Sequence, residues 1–412
     1  MINECPICTV SPAKQLLFLC SHVVKFINSM STSCLGHLLS FLMKRTLLLL
    51  VWLLVICYSS FSQSSPTTTT GAKITIQLDF ESAKAITRLL TKTTTTDTEL
   101  NQVAKLYGNQ QLIDKVTSYD KTGTEAVFKQ TLRELIETGT VKGNDPFDWK
   151  AVKTNLVAVQ HLISEIEAKG SFPDDVRSCI LPYCPPTSQV TARACFLVGG
   201  GALGFTIGHD ATFNVALQKI GDDYEGLVYL VAHELYHTIQ QVGQRSRKKE
   251  PLGGDPPKPV ANAYMLLTNL WSEGTATLVG DFTTIKNPKS LATQQQSEYQ
   301  RNRQRSRQNF VLFESLLYSA YHDSTANPNQ LYNIGFTVAF DQTAYYTGYR
   351  MAKEIEAHKG KAVLAALINQ SPIEFCRVYI QLYQEHPDKI NIKFSSATEA
   401  IIAKMQPWIN KM

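Results

Sequence analysis

The sequence predicts a mostly helical α+β fold, with a small sheet packed on one long helix and a helical C-terminal half. Residues 73–80 alternate apolar and polar side chains, as expected for an edge strand with one buried face. Residues 192–217 contain three further short apolar runs separated by glycines and polar residues. Most of the chain after residue 224 instead places its apolar side chains at helical spacing.

The elements follow in order along the chain. After the first strand, residues 81–169 are helical in pattern and end in a strong helix from Trp149 to Lys169. Strands are predicted at 194–198, 203–207 and 212–217. The glycines at 199–201 predict a hairpin turn between the first two of these strands, since no Gly-Lys-Ser/Thr follows to make a phosphate loop. Beyond residue 273 we expect helices at about 292–320, 335–358, 361–369 and 372–385.

A long helix is predicted in the middle of the chain. Asp222 and Asp223 can cap its start, and Gly243 can end it. At about 100° per residue, His233 and His237 fall roughly opposite the centre of its apolar stripe, so they are not placed as core histidines would be. The stripe consists of Tyr224, Leu227, Val228, Val231, Leu235, Ile239 and Val242.

The segment His233-Glu234-Leu235-Tyr236-His237 carries the chemistry of this helix. Two histidines four residues apart project from one face and can hold one ion. Glu234 lies beside them, turned toward a metal-bound water rather than toward the metal. Two neutral nitrogen ligands, an open coordination position and a base near the water are what a metal-dependent hydrolase requires.

A third protein ligand is expected, and Glu273 is the candidate. It lies on a helix predicted at about 262–280, among apolar residues where an unpaired carboxylate is costly unless a cation binds it. The alternative is a glutamate solvated on the outer face of that helix. Small residues at Gly274 and Ala276 are expected to let this helix approach the histidine helix closely.

These motifs together resemble a known class of enzymes. An HExxH helix, a loop and a helix bearing Glu273-Gly274-x-Ala276 are similar to the gluzincin zinc metallopeptidases. More narrowly, the chain resembles a bacterial family known only as putative zinc-dependent peptidases, from about residue 73 to the C-terminus. The segment from Tyr345 to Ala352 adds to the likeness, as a Tyr-x-Gly-x-x-Met-Ala helix.

The resemblance implies a zincin-like catalytic domain whose cofactor is Zn²⁺. It implies that His233, His237 and Glu273 bind zinc and that Glu234 acts as the base. Tyr345 or Tyr346 would stabilise the oxyanion; the pairs His209-Asp210 and His322-Asp323 are alternatives for that role. The chain departs from the thermolysin-like pattern at Thr277, where an aspartate would stand, and has no third histidine at the metzincin spacing.

The N-terminal region predicts export. Lys44 and Arg45 precede an apolar run from Leu47 to Tyr58, which is typical of a signal peptide and short for a membrane span. We expect translation to start at Met43. Lipid attachment at Cys57 is an alternative. The resulting division is an untranslated extension (1–42), a signal peptide (43–62), a flexible Ser/Thr-rich linker (63–72), an N-terminal strand and helical region (73–170) and the zincin-like metallopeptidase domain (171–412).

Cysteine content and net charge indicate the cellular compartment and the kind of partner to expect. Cys179, Cys184, Cys195 and Cys376 remain in the mature chain, an even number that suits an oxidising compartment, and their pairing stays open. The net charge of +5 is mild, and the basic clusters lack the aromatic interleaving of nucleic-acid binders.

We therefore expect an exported zinc peptidase acting on a peptide or protein substrate, with no nucleic-acid partner and no membrane span after signal cleavage. The alternatives are a non-catalytic binding protein with a zincin fold and a zinc hydrolase of a non-peptide amide or ester.

Overall fold

The computed structural model describes residues 71–206 and 212–412. The strands are β1 (Lys73–Asp79), β2 (Gln189–Leu197), β3 (Gly204–Phe205) and β4 (Thr212–Ala216). The helices before β2 are α1 (Glu81–Leu89), α2 (Asp97–Ala104), α3 (Tyr107–Tyr119), α4 (Glu125–Thr138), α5 (Trp149–Thr154), α6 (Leu156–Lys169) and α7 (Phe172–Ile180). Those after β4 are α8 (Tyr224–Ser246), α9 (Lys258–Val279), α10 (Ser290–Gln304), α11 (Ser306–His322), α12 (Pro328–Phe336), α13 (Thr343–Lys359), α14 (Lys361–Leu367), α15 (Pro372–Glu385) and α16 (Ser396–Met405). The predicted fold class, mostly helical α+β, is confirmed.

The sheet is mixed and has the order β1-β2-β4-β3. β2 lies parallel to both β1 and β4, whereas β3 pairs antiparallel with β4. The edge strand predicted at residues 73–80 is therefore confirmed. The predicted hairpin at residues 199–201 is wrong, because both edges of β2 are occupied by β1 and β4 and β3 pairs elsewhere.

The glycines after β2 make a loop that packs back on the helical region. Gly199 and Gly200 have φ angles of 113° and 74°, which side chains with a Cβ rarely adopt. The amide of Gly200 donates to the carbonyl of Phe147 at 2.7 Å. A Cβ on Gly199 would lie 3.0 Å from the ring of Trp149, so this loop requires glycine for space as well.

The long helix α8 starts where the sequence predicts and ends later than the predicted end at Gly243. The carboxylate of Asp223 accepts a hydrogen bond from the amide of Gly226 at 2.8 Å, which caps the first turn. Gly243 does not end the helix, which continues to Ser246. A Cβ at Gly243 would lie 2.2 Å from a side-chain carbon of Ile368, so this glycine serves close packing rather than termination.

Other predicted helices are interrupted. Asn155 divides the helix expected over 149–169, and its side-chain amide donates to the carbonyl of Ala151 at 3.1 Å. The helix expected over 335–358 begins only at Thr343, because Asp341 and Gln342 adopt left-handed φ angles of 58° and 50°. Local side-chain and backbone preferences of this kind leave little trace in apolar periodicity.

Gly274 has a different partner from the one predicted, whereas the role of Ala276 stays a prediction. A Cβ on Gly274 would lie 2.3 Å from the carbonyl carbon of Gly348, and a Cβ on Gly348 would lie 2.2 Å from the carbonyl oxygen of Leu270. Gly274 therefore brings α9 against α13, not against the histidine helix. Gly280, just after α9, is the glycine that meets α8, since its Cβ would lie 2.8 Å from the Cβ of His233.

One hydrophobic core runs through the described residues, and β2 packs on α8 within it. The sequence predicts a division of the chain at residue 170, and β1, which precedes this residue, pairs with β2, which follows it. That division stays a prediction. In the described part of the chain, no helix has both the length and the apolar character needed to cross a bilayer.

Candidate metal centre

Two helices bring three potential ligands together. His233 and His237 are one turn apart on α8, and their Nε2 atoms lie 3.3 Å from each other. Glu273 on α9 places its Oε2 3.5 Å from Nε2 of His233 and 3.2 Å from Nε2 of His237. The sequence predicted this trio, and the structure places its donor atoms side by side.

The donor separations suit a zinc ion. Nitrogen and oxygen atoms bound tetrahedrally at about 2.0–2.1 Å are separated from one another by about 3.3 Å. The three separations of 3.2, 3.3 and 3.5 Å are close to that spacing. Oε2 of Glu273 is buried and makes no hydrogen bond of good geometry, a costly state for a carboxylate unless a cation binds it. The residues present therefore fit a zinc site.

Electrostatics couple the three groups strongly. Burial alone would raise the pKa of Glu273, but the two imidazoles outweigh burial and hold that pKa below its usual range. Burial would likewise lower the pKa of His237, whereas the Glu273 carboxylate raises it to about 9. In the metal-free site the carboxylate thus holds a proton on His237 that a metal ion would displace.

Hydrogen bonds to His237 fix which of its nitrogens is available. Nδ1 lies 2.8 Å from Oε1 of Gln240 and 3.1 Å from Oγ of Ser272. The amide nitrogen of Gln240 donates to Ser272 O at 2.9 Å and to Thr275 Oγ1 at 2.8 Å, so its oxygen must face the histidine. Nδ1 therefore carries a proton whether or not the ring is charged, and Nε2, which faces Glu273, is the nitrogen that can lose its proton and bind a metal ion.

Sequence reasoning missed Gln240 and Ser272. Only their positions in the sequence could have indicated them, since Gln240 stands one turn after His237 and Ser272 directly precedes Glu273. Polar side chains next to ligands on two facing helices are natural partners for an imidazole nitrogen. Only the pairing of α8 with α9 reveals that they meet at the same atom.

We expect Gln240→Leu to lower zinc affinity by about 10- to 100-fold, because it removes the acceptor that orients His237. Competition with a zinc-binding dye measures the change. Gln244→Leu is a matched control, since Gln244 lies on the same helix but donates to the carbonyls of Ile368 and Gln370. Equal zinc affinity in wild type and Gln240→Leu would contradict this orienting role.

Glu234 and two members of the trio, His237 and Glu273, open on a common cleft of about 500 Å³. Glu234 is half-buried, and burial raises the pKa of its carboxyl. The cleft is lined by Phe205, Thr206, Glu234, His237, Gln240, Gln241, Gln244, Thr268, Trp271, Ser272, Glu273 and Tyr345. A separate cavity of about 540 Å³ near the start of α8 contains none of the predicted site residues.

The structure separates the two candidate tyrosines. Tyr345 lines the cleft, and its ring is parallel to that of His233 with centroids 6.3 Å apart. Burial, followed by the charge of Glu273, raises the pKa of Tyr345, which keeps its hydroxyl protonated as a donor. Tyr346 lies outside this cleft, and its ring centroid is 6.4 Å from that of Tyr299. The two tyrosines face different ways because one residue along a helix turns the side chain by about 100°.

The alternative histidines are not in this cleft. His322 packs between Tyr318 and Tyr321, with ring centroids 4.5 and 5.2 Å away. The His209-Asp210 pair lies outside the described residues.

None of the cysteines in the described part of the chain lines the cleft of the metal trio. Cys179, Cys184 and Cys376 are thiols, and burial raises the pKa of Cys184 to about 12. Cys195 is buried in β2, with its sulfur 3.9 Å from Oδ2 of Asp79.

Two imidazoles, a carboxylate at tetrahedral spacing and a second carboxylate on an open cleft define a candidate metallohydrolase centre. Residues 100–388 match the profile of the DUF5700 family, described as a putative zinc dependent peptidase. The match covers well over half of the chain, so the chain belongs to this family, and zinc is the cofactor that the description gives. The resemblance drawn from the sequence is confirmed. No curated protein and no solved structure matches the chain.

Proposed function

We propose that the protein is an exported peptidase in which His233, His237 and Glu273 hold zinc and Glu234 is the catalytic base. The spacing of the three donor atoms is the observation that carries the proposal. Bound zinc supplies Lewis acidity, which polarises a carbonyl and lowers the pKa of water toward neutrality. The family's description as a zinc-dependent peptidase favours peptide bonds over other amides and esters.

The side chains around the trio suit the proton transfers of amide hydrolysis. Glu234 lies one residue from His233, faces the same cleft and can accept a proton from the attacking water. Its raised pKa favours returning that proton to the leaving amine. The Tyr345 hydroxyl is held protonated at the same cleft and can donate to the oxygen on which charge develops.

A sheet edge offers a binding mode for an extended peptide. β3 is the last strand of the sheet, and Phe205 and Thr206 line the cleft. The free edge of a strand can pair with a substrate backbone through main-chain hydrogen bonds. Such pairing recognises a peptide without demanding particular side chains.

Export rests on the sequence of residues 43–62, which lie outside the described part of the chain. The cationic start and apolar run predict a signal peptide with small residues before Gln63. Mass spectrometry of the N-terminus of the natively produced protein tests this proposal. Recovery of a chain that retains Met43, free of lipid, would contradict it.

We expect purified protein to contain one zinc per chain and to cleave members of a peptide library. A chelator should abolish cleavage, and added zinc should restore it, because the three ligands offer one site. Zinc is measured by elemental analysis and cleavage by mass spectrometry. Zinc binding without cleavage of any peptide would favour the non-catalytic binding protein, and hydrolysis only of small esters or amides would favour the other alternative.

A further inference from the structure

The cleft has a direction, which follows the C-terminal half of α8. Its lining residues on this helix run from Glu234 through His237 and Gln241 to Gln244. At a rise of about 1.5 Å per residue, Gln244 lies about 15 Å along the helix from Glu234. Thr268 and Trp271 of α9 line the cleft as well. A bound peptide that follows this groove would run toward the end of α8.

The groove itself is electrically neutral beyond the metal centre. Its charged or ionisable lining residues are Glu234, His237, Glu273 and Tyr345, which all belong to the centre. The amide of Gln244 is committed to the carbonyls of Ile368 and Gln370. Specific attraction of a charged substrate side chain therefore has to come from beyond the groove.

Arg245 is the next side chain on the cleft face of α8. It follows Glu234 by eleven residues, which is three helical turns with a remaining rotation of about 20°. Arg245 is exposed and lies in the last turn of the helix. The face that presents the catalytic carboxylate therefore presents a guanidinium at its far end.

Two exposed lysines follow Arg245 on an anchored segment. Arg247 donates to the carbonyl of Ile409 at 2.6 Å, and the amide of Glu250 donates to the carbonyl of Asn410 at 2.7 Å. These bonds tie both sides of the exposed pair Lys248 and Lys249 to the C-terminal residues. The basic segment is thereby held at the end of the groove.

In the described part of the chain, Arg245, Lys248 and Lys249 form no ion pairs. The nearby carboxylates in the sequence are Glu250 and Asp255. These two carboxylates are fewer than the cations of the segment, which leaves an excess of positive charge where the groove ends.

We propose that Arg245, Lys248 and Lys249 form an acidic-residue subsite for the peptide substrate. This inference rests on the proposed peptidase function. An extended peptide advances about 3.3 Å per residue, so side chains about three to five residues from the scissile bond reach this segment. The preferred substrates are peptides that carry Asp or Glu in that window.

The expected preference is moderate, because the cations are exposed. Exposed charge pairs are weak, and salt screens them over about 8 Å at physiological ionic strength. We expect kcat/KM to be about 3- to 10-fold higher for a peptide with Glu in the window than for its Gln counterpart. The difference should appear mainly in KM, since these groups act on binding rather than on the reacting atoms.

The test uses zinc-loaded protein in two stages. Cleavage sites in a peptide library are first mapped by mass spectrometry, and matched Glu and Gln peptides are then built on the best-cleaved sequence. The triple variant Arg245→Gln, Lys248→Gln, Lys249→Gln should reduce the Glu/Gln ratio to about one while cleaving the Gln peptide as wild type does. Raising the salt concentration should lower the ratio in wild type only.

A second triple variant controls for net charge. Arg303→Gln, Arg307→Gln and Lys142→Gln together remove the same charge from exposed positions that do not line the cleft, and should keep the wild-type ratio. A wild-type ratio of one, or a ratio that the Arg245 triple variant leaves unchanged, would overturn the subsite. Failure of every peptide to be cleaved would instead overturn the peptidase function itself.

Discussion

Glu234→Gln is expected to bind zinc as wild type does and to lose about 10²- to 10⁴-fold in kcat. Glutamine has nearly the same size as glutamate but cannot accept a proton from water at neutral pH. The three donor atoms lie on His233, His237 and Glu273, so the metal site should survive the change. Zinc content and steady-state cleavage of a library-derived peptide, measured on the same preparation, separate the two effects.

Glu225→Gln provides the matched control for this experiment. Glu225 lies on the same helix and is exposed near its start, away from the cleft lining. Its variant should retain both zinc and turnover. If Glu234→Gln cleaves peptides at the wild-type rate, another group removes the proton and the assigned base is wrong. If Glu234→Gln loses zinc as well, the residue supports the metal site and its catalytic role stays untested until metal is restored at higher zinc concentration.

The local part of the candidate site could be predicted from the sequence. A helical repeat fixes that residues four apart share a face, so His233 and His237 had to lie together once α8 was a helix. The proposed role of Glu273 depends on a contact between two helices, and the sequence suggested it through the cost of burying an unpaired carboxylate among apolar residues. The sequence could not show whether Tyr345 or Tyr346 faces the cleft, because that depends on the rotation of α13 about its axis.

The sheet shows where sequence patterns fail. Two apolar runs separated by a glycine-rich turn predict a hairpin, yet β2 pairs with β1, which lies more than a hundred residues earlier in the chain. Parallel pairing requires long connections, and nothing local to residues 192–217 records which distant strand arrives. The glycines at 199 and 200 were interpreted as a hairpin turn, whereas their conformation serves a loop packed on Phe147.

Gly274 was assigned to the wrong partner for a similar reason. A glycine in a helix predicts a close neighbour but not its identity. In the structure that neighbour is Gly348 on α13, so the Glu-Gly pair couples the ligand helix to the helix that carries Tyr345. Two glycines placed face to face let two backbones touch, which side chains of any size would prevent.

Gly348→Ala is therefore expected to destabilise the protein by about 3 kcal/mol or more, at or above the upper end of usual overpacking costs. The new Cβ would lie 2.2 Å from the carbonyl oxygen of Leu270, a rigid atom of a packed helix that cannot rotate away. The helices must separate, and since Gly274 adjoins Glu273 while Tyr345 lies one turn before Gly348, both site residues should move. Urea unfolding with and without chelator measures the free energy of unfolding, and dye competition measures zinc affinity.

Gly335→Ala distinguishes this close helix crossing from a general intolerance of alanine. Gly335 is also helical, but its Cβ would lie 3.2 Å from the end of the Leu316 side chain, which can shift, and 3.6 Å from the Cβ of Ala344, an ordinary contact distance. We expect its free energy of unfolding to change by less than about 1 kcal/mol, with zinc affinity unchanged. If both alanine variants were equally stable, α9 and α13 would not be in backbone contact, and Tyr345 would lose its assigned position beside the metal ligands.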